Sequence, residues 1–501
     1  MHRHAAMPTG SAIVLDRTSP VALYQQLYRW FRTAILSGQL AAGARLPATR
    51  VLAAELGISR STVISAFEQL LAEGYLAGVA GSGTYVADVL PDDLLHAAPQ
   101  ARLPAPTSGH EQKYAQRGSA IVAGLGALYR PSGPPASSWA FVLGIPAVAE
   151  FPHRLWGQLL YKRWHNLEAR QLLAPALPGY PPLRRAIAEY VRAVRGVHCD
   201  EQQIIIVSGS QQAFTLLAQI ILDPGDVVWM EEPGYHAARL AWAAAGAQVI
   251  PVPVDAEGLN MSAVAQANPS PRLMYVTPSH QFPLGVTLSL PRRLALLELA
   301  HRTGAWIVED DYDSEYRYGG RPLPALQGLD TNGRVIYVGT FSKVLFPALR
   351  LAYVVVPPEL VEACTGACFI LGTRVPTLHQ QVVCEFIVEG HFARHIRRMR
   401  KLYAARRQAL LDAAPRVLGD LLDLQPAETG MHLLGWLAEG LDDRAAANAA
   451  RRAGVNVEPL SAFRTMPGRH GLLLGYAAPD ESAIRAGVES LAEVLNSLRR
   501  T

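Results

Sequence analysis

Arg334-Val335-Ile336-Tyr337-Val338-Gly339-Thr340-Phe341-Ser342-Lys343 sets a short β-branched strand, Arg334–Gly339, directly before two hydroxyl side chains and a lysine. Lysine is scarce throughout the chain, and Arg350 follows this one by seven residues. Working outward, Gln203–Val207, Asp226–Met230, Arg272–Thr277 and Ala305–Glu309 are further apolar runs, separated by longer stretches of helical period. That alternation predicts an α/β unit on a mainly parallel sheet, spanning residues 139–501.

Each run leads into residues of a particular chemistry. Gln203–Val207 opens onto Ser208-Gly209-Ser210-Gln211-Gln212 and a helix, a junction that turns amide N–H groups and hydroxyls toward an anion. Glu232-Pro233-Gly234-Tyr235 places an aromatic ring after the next strand, and Pro278 to Gly285 is a Pro/Gly-bounded loop carrying His280. Trp306 to Tyr312 ends in Glu309, Asp310 and Asp311, carboxylates at the sheet rim where α/β ligands bind. A lysine amine such as Lys343 forms a Schiff base with a nearby aldehyde, and Thr340, Ser342 and Arg350 donate to phosphate. Taken singly, each feature has a structural alternative: a connecting turn, a packed tyrosine, a structural histidine, a surface lysine. Together, a phosphate loop, a stacking ring, an acidic partner and a Schiff-base lysine are what pyridoxal 5′-phosphate requires.

Residues 1–88 read differently. Leu23, Leu27, Trp30, Phe31 and Ile35 make one helical face that stops near Gly38. A short helix, Thr49 to Leu56, ends at Gly57. Ser59 caps a third helix with a buried face of Val63, Phe67, Leu70 and Leu71, closed by Gly74. Tyr75–Val79 and Thr84–Ala87 then flank a glycine hairpin containing Gly81. Three helices and a hairpin make a winged helix. Ser59, Arg60, Ser61 and Thr62 occupy the exposed start of its third helix, suited to phosphate and base edges, with Arg50 on the second helix beside them. Seven arginines and no lysine against five acids up to Asp88 make this unit only weakly basic, so affinity calls for a dimer on two half-sites. Residues 89–138, rich in Pro, Ala, Gly and Ser, have linker composition.

Across 501 residues, 50% are hydrophobic and 18% charged, which excludes global disorder. The net charge of +4 leaves any nucleic-acid site to a local patch. No apolar run of about 18 residues exists to span a membrane, and the N-terminus lacks a signal-peptide core. Cys199, Cys364, Cys368 and Cys384 are too sparse for a disulfide framework, and no metal set accompanies them. A soluble, cytoplasmic protein is expected.

Two resemblances sharpen these expectations. Leu46-Pro47-Ala48-Thr49-Arg50, Leu56 to Val63, Glu73-Gly74-Tyr75 and Gly81 to Val86 resemble, in order, the GntR-type winged helix of bacterial regulators. That resemblance implies DNA contacts by Arg50, Ser59, Arg60, Ser61, Thr62 and the wing-tip Gly81. The order and spacing of the cofactor motifs resemble the fold-type I, class I aminotransferases over roughly residues 139–495. This implies Lys343 as the aldimine-forming lysine, Asp310 on the pyridinium nitrogen, Tyr312 on the ring O3′ and Tyr235 stacked on the ring. It implies Ser208, Gly209, Ser210, Thr340, Ser342 and Arg350 around the phosphate, with His280 or Gln281 replacing an asparagine beside O3′. Two departures stand out: Leu473 where such enzymes carry an arginine for the substrate carboxylate, and no tyrosine in Leu173 to Gly179. The combination resembles the MocR/GabR subfamily, as do Thr277 to Pro283, Glu309 to Tyr316 and Gly390 to Arg398. The implied protein is a head-to-tail homodimer on promoter DNA that responds to pyridoxal 5′-phosphate or an amine or amino-acid adduct of it. The alternatives are a working aminotransferase with an accessory DNA-binding domain, and a DNA-binding protein whose large domain only dimerises.

Overall fold

The computed structural model describes residues 13–79, 83–89, 140–173, 176–263, 269–319 and 323–500, which fall into two compact units. Gly81, Trp139, Ala174, Pro175 and residues 90–138 of the expected linker lie outside the described residues.

In the first unit the apolar period becomes α1 (Leu23–Leu36), which buries Leu27, Phe31, Ala34 and Ile35. Phe31 meets Phe67 edge-on, with ring centroids 5.4 Å apart. α2 (Thr49–Leu56) stops at Gly57, whose φ of 62° is a left-handed cap that a Cβ would strain. α3 (Arg60–Ala72) starts at Ser59, whose hydroxyl accepts from the Thr62 amide at 3.2 Å. Its buried face is Val63, Ala66, Phe67 and Leu70. Leu71, expected with them, is 37% exposed, because one residue is about 100° of helix and carries it past the edge of that face. β1 (Leu76–Val79) pairs antiparallel with β2 (Gly83–Val86), and Leu46 N and Val86 N bond residues 44–46 along β2. This is the winged helix expected.

The second unit begins with α4 (His153–His165) and α5 (Pro181–Arg195), then β3 (Ile204–Val207) and α6 (Ser210–Ile221). The main sheet continues through β4 (Val227–Glu232), β5 (Gln248–Asp255), β6 (Gly258–Leu259), β7 (Leu273–Val276), β8 (Trp306–Asp311), β9 (Val335–Thr340) and β10 (Ala352–Val355). Its order is β3-β10-β9-β8-β7-β4-β5-β6. Neighbours from β9 through β5 run parallel, whereas β10 is antiparallel to both β3 and β9. The five expected strands are β3, β4, β7, β8 and β9. They read as unbroken apolar runs because both faces are covered: Ile307 and Val335 join one core cluster, Val308, Ile336 and Val338 another. A second, antiparallel sheet follows, built from β11 (Leu422–Gln425), β12 (His432–Leu437), β13 (Glu458–Pro459) and β14 (Gly471–Gly475), in the order β11-β12-β14-β13.

The four cysteines are free thiols, with Cys364 and Cys368 packed into the core. Among the described residues, no helix is long and apolar enough to cross a membrane.

Candidate cofactor cleft and DNA-contact surface

The carboxyl ends of β8 and β9 and the start of α6 open onto one cleft of about 340 Å³. It is lined by Gly209, Ser210, Tyr235, Asp310, Tyr312, Thr340, Ser342, Lys343 and Arg350. Residues separated by as much as 141 positions therefore meet as the sequence motifs imply. Ser208 and His280 do not line it.

Lys343 projects its amine to within 2.8 Å of the Gly144 carbonyl. Burial holds that amine below the usual lysine pKa, with Asp313 and Asp310 pulling the other way. Asp310, at the end of β8, accepts the Tyr275 hydroxyl at 2.6 Å through Oδ2. Its Oδ1 is buried with no hydrogen-bond partner among the described residues. Burial pushes the Asp310 carboxyl up to about 7, against the Tyr275 hydrogen bond, which lowers it. An uncompensated carboxylate oxygen in such a place calls for a proton or a cationic partner.

At the other end, Gly209 stands at the N-cap of α6 with φ 137°, and no side chain caps the helix. A Cβ on Gly209 would lie 3.3–3.5 Å from the Arg350 guanidinium. Helix amides and guanidinium thus flank a space that only glycine leaves open, and both favour a phosphate. Thr340 Oγ1 accepts from the Ser342 amide at 3.2 Å, which fixes the turn between them. Ser208 stays out of the cleft, its amide donating to the Gln212 side chain.

Tyr235 packs edge-on against Phe282, centroids 5.7 Å apart, and burial raises its hydroxyl to about 12. Tyr312 faces the cleft with its hydroxyl 2.8 Å from His280 Nδ1, which also lies 3.1 Å from both Asp313 oxygens. His280 is therefore packed behind the lining, against Tyr312, Asp313 and the ring of His432. Gln281 is committed to Glu231, the Pro233 carbonyl and the Phe282 carbonyl. The histidine that does line the cleft is His432, on β12 of the second sheet. It escaped the sequence reading because His432-Leu433-Leu434-Gly435-Trp436-Leu437 carries no motif, only a strand pattern.

In the winged helix, Arg50, Ser59, Arg60 and Ser61 are exposed and Thr62 is half-buried. Ser59 Oγ lies 2.8 Å from both Ser61 Oγ and Thr62 Oγ1, an ordered hydroxyl cluster at the start of α3.

The unpartnered Asp310 oxygen, the glycine-lined cradle under Arg350 and the buried amine of Lys343 fit the ring nitrogen, phosphate and aldehyde of pyridoxal 5′-phosphate. The molecule is thus of the class that joins a winged-helix DNA-binding unit to an aminotransferase-type cofactor domain. Residues 23–86 match the gntR family of bacterial regulatory proteins, and residues 167–491 match aminotransferase class I and II. The chain belongs to the MocR/GabR subfamily of GntR-type transcriptional regulators. It is 43% identical over 488 residues to the probable rhizopine catabolism regulatory protein MocR of Rhizobium meliloti, covering 97% of this chain and 96% of that one. It is 31% identical over 488 residues to the pyridoxine biosynthesis transcriptional regulator PdxR of Corynebacterium glutamicum, covering 97% and 98%. Among solved structures, it is similar to the α-aminoadipate aminotransferase LysN of Thermus thermophilus, solved in complex with N-(5′-phosphopyridoxyl)-L-leucine. There the TM-score is 0.69 at 29% identity, covering 77% of this chain and 98% of that one.

Proposed function

We propose that this regulator's binding to promoter DNA responds to pyridoxal 5′-phosphate, or to a primary amine that meets the cofactor at Lys343. The observation that carries the reading is the convergence of Lys343, Asp310 and the Gly209–Arg350 cradle in one cleft, on a chain that also holds a winged helix. When bound, the cofactor supplies a carbonyl carbon that primary amines attack. Lys343 offers a buried amine with a lowered pKa at that point, Asp310 holds the ring nitrogen, and Tyr235 covers the ring face. Tyr312 lies beside O3′, oriented by His280. Gly209, Ser210, Thr340, Ser342 and Arg350 hold the phosphate, with Ser208 shaping the turn behind them.

Arg60, Ser61 and Arg50 contact the DNA, Ser59 and Thr62 order the helix start, and Gly81 is a further contact position on the family resemblance. A head-to-tail homodimer in the cytoplasm presents two such units to two half-sites. The ligand shifts binding only as far as it favours one dimer conformation over the other, typically about 1–3 kcal/mol.

The test is titration of the protein onto DNA upstream of its own gene, with and without pyridoxal 5′-phosphate, at fixed salt and against competitor DNA. A selective complex whose affinity or footprint follows the cofactor supports the reading; selective binding blind to it overturns the response. The same cofactor groups would serve transamination, so an amine-donor turnover assay belongs beside it.

A further inference from the structure

We propose that the amine accepted beside Lys343 carries no carboxylate on its nitrogen-bearing carbon: it is an amino alcohol or similar uncharged-bodied amine, not an α-amino acid. This rests on the reading that the cleft holds pyridoxal 5′-phosphate and meets an amine there.

The cleft's formal charges among its described lining residues are Lys343, Arg350, Asp310 and Asp313. Arg350 stands against Gly209 at the phosphate end, Asp310 faces the ring nitrogen, and the remaining carboxylate, Asp313, would repel another anion. The wall on the side of the second sheet is apolar: Leu143 and Phe463 pack against the buried cluster of Leu434, Leu460 and Leu473.

One polar side chain interrupts that wall. His432 lines both this cleft and a neighbouring cavity of about 450 Å³. Its Nε2 lies 3.1 Å from the Pro283 carbonyl, an oxygen that only accepts, so Nε2 carries the proton. Burial, reinforced by His280, pushes the ring's pKa down to about 3, so it is neutral and Nδ1 keeps a lone pair. In the neighbouring cavity, Arg464 donates to the Gly468 and Arg469 carbonyls at 2.6 Å, which holds its guanidinium against its own loop.

On the side of the second sheet, a carboxylate next to the incoming nitrogen would thus exchange water for leucine, phenylalanine and a histidine lone pair, with both cations of the cleft, Lys343 and Arg350, taken up at the aldehyde and phosphate ends of the cofactor. Burying an anion without a counter-ion is strongly unfavourable. A hydroxyl in the same place donates to His432 and carries no charge.

Three probes of one skeleton separate these cases: L-alanine, L-alaninol and isopropylamine, titrated at one pH into the full chain loaded with cofactor, with cofactor absorbance read out. L-Alaninol is expected to half-saturate at a concentration at least about tenfold below that of L-alanine. In His432→Leu its advantage over isopropylamine should disappear. L-Alanine matching or surpassing L-alaninol overturns the proposal and leaves the cofactor reading standing. An advantage for L-alaninol that survives His432→Leu overturns the role given to His432. A bound chromophore blind to all three amines overturns the underlying reading, and the proposal with it.

Discussion

Asp310 and Tyr275 share a single buried hydrogen bond of 2.6 Å, made by Oδ2, while Oδ1 of the same carboxylate has no partner among the described residues. Burial raises the carboxyl from 3.8 to about 7, so its ionised form is disfavoured in the folded, cofactor-free protein. Its contribution to stability is therefore full below the unfolded value and is lost as pH rises toward about 7. Asp310→Asn is therefore expected to leave the melting temperature of the cofactor-free protein at pH 8 unchanged or higher. Cofactor affinity should fall about 10- to 100-fold, the worth of a hydrogen bond to an ionised partner, when followed by absorbance titration.

Lys343→Ala removes the amine that lies 2.8 Å from the Gly144 carbonyl. Its winged helix should remain folded and bind operator DNA, while footprint and affinity no longer change with cofactor or amine. A response that persists would place the sensing elsewhere.

Gly209→Ala tests the cradle. An alanine there is forced to φ 137° with its Cβ 3.3 Å from the Arg350 guanidinium. The expected cost is about 1–3 kcal/mol of strain, with a marked loss of cofactor affinity and no effect on cofactor-free DNA binding. Melting curves with and without cofactor check both.

Arg60→Ala should weaken selective DNA binding by about 1–3 kcal/mol per half-site and flatten its salt dependence, without altering cofactor absorbance. Ser59→Ala acts differently, through the cap it forms on the Thr62 amide, and should cost about 1 kcal/mol of helix stability.

His432 provides a pH test. Its folded value of about 3 lies below the unfolded 6.5, so its contribution is complete above 6.5 and is lost as pH falls toward 3. Between pH 7 and 5, wild-type stability measured against His432→Gln should narrow by about 2 kcal/mol, read from urea midpoints.

Much of this molecule is legible in its residues taken in order. The period from Leu23 to Ile35, the Ser59 cap and the Gly57 stop are local signals, each resolved within a turn or two of backbone, and each produced the element expected. The same holds for the strands that end at Asp310 and Thr340, because a strand buried on both faces must read as an unbroken apolar run. The motifs beside those ends share a cleft because parallel strands deliver their carboxyl ends to one edge.

What remained hidden depends on partners far apart in the chain. Ala352–Val355 is one more apolar run, and only its pairing with β3 and β9 makes it antiparallel. His280, in its Pro/Gly-bounded loop, and His432, in a plain strand pattern, lie 152 positions apart; tertiary packing brings His432 to the cleft and leaves His280 behind Tyr312. By itself the sequence determined a winged helix followed by a cofactor domain, since caps, periodicity and strand ends are written in neighbouring residues. Only the tertiary structure decided which polar atoms face the cleft without a partner, because a hydrogen bond is satisfied or left open by whatever the rest of the chain packs against it.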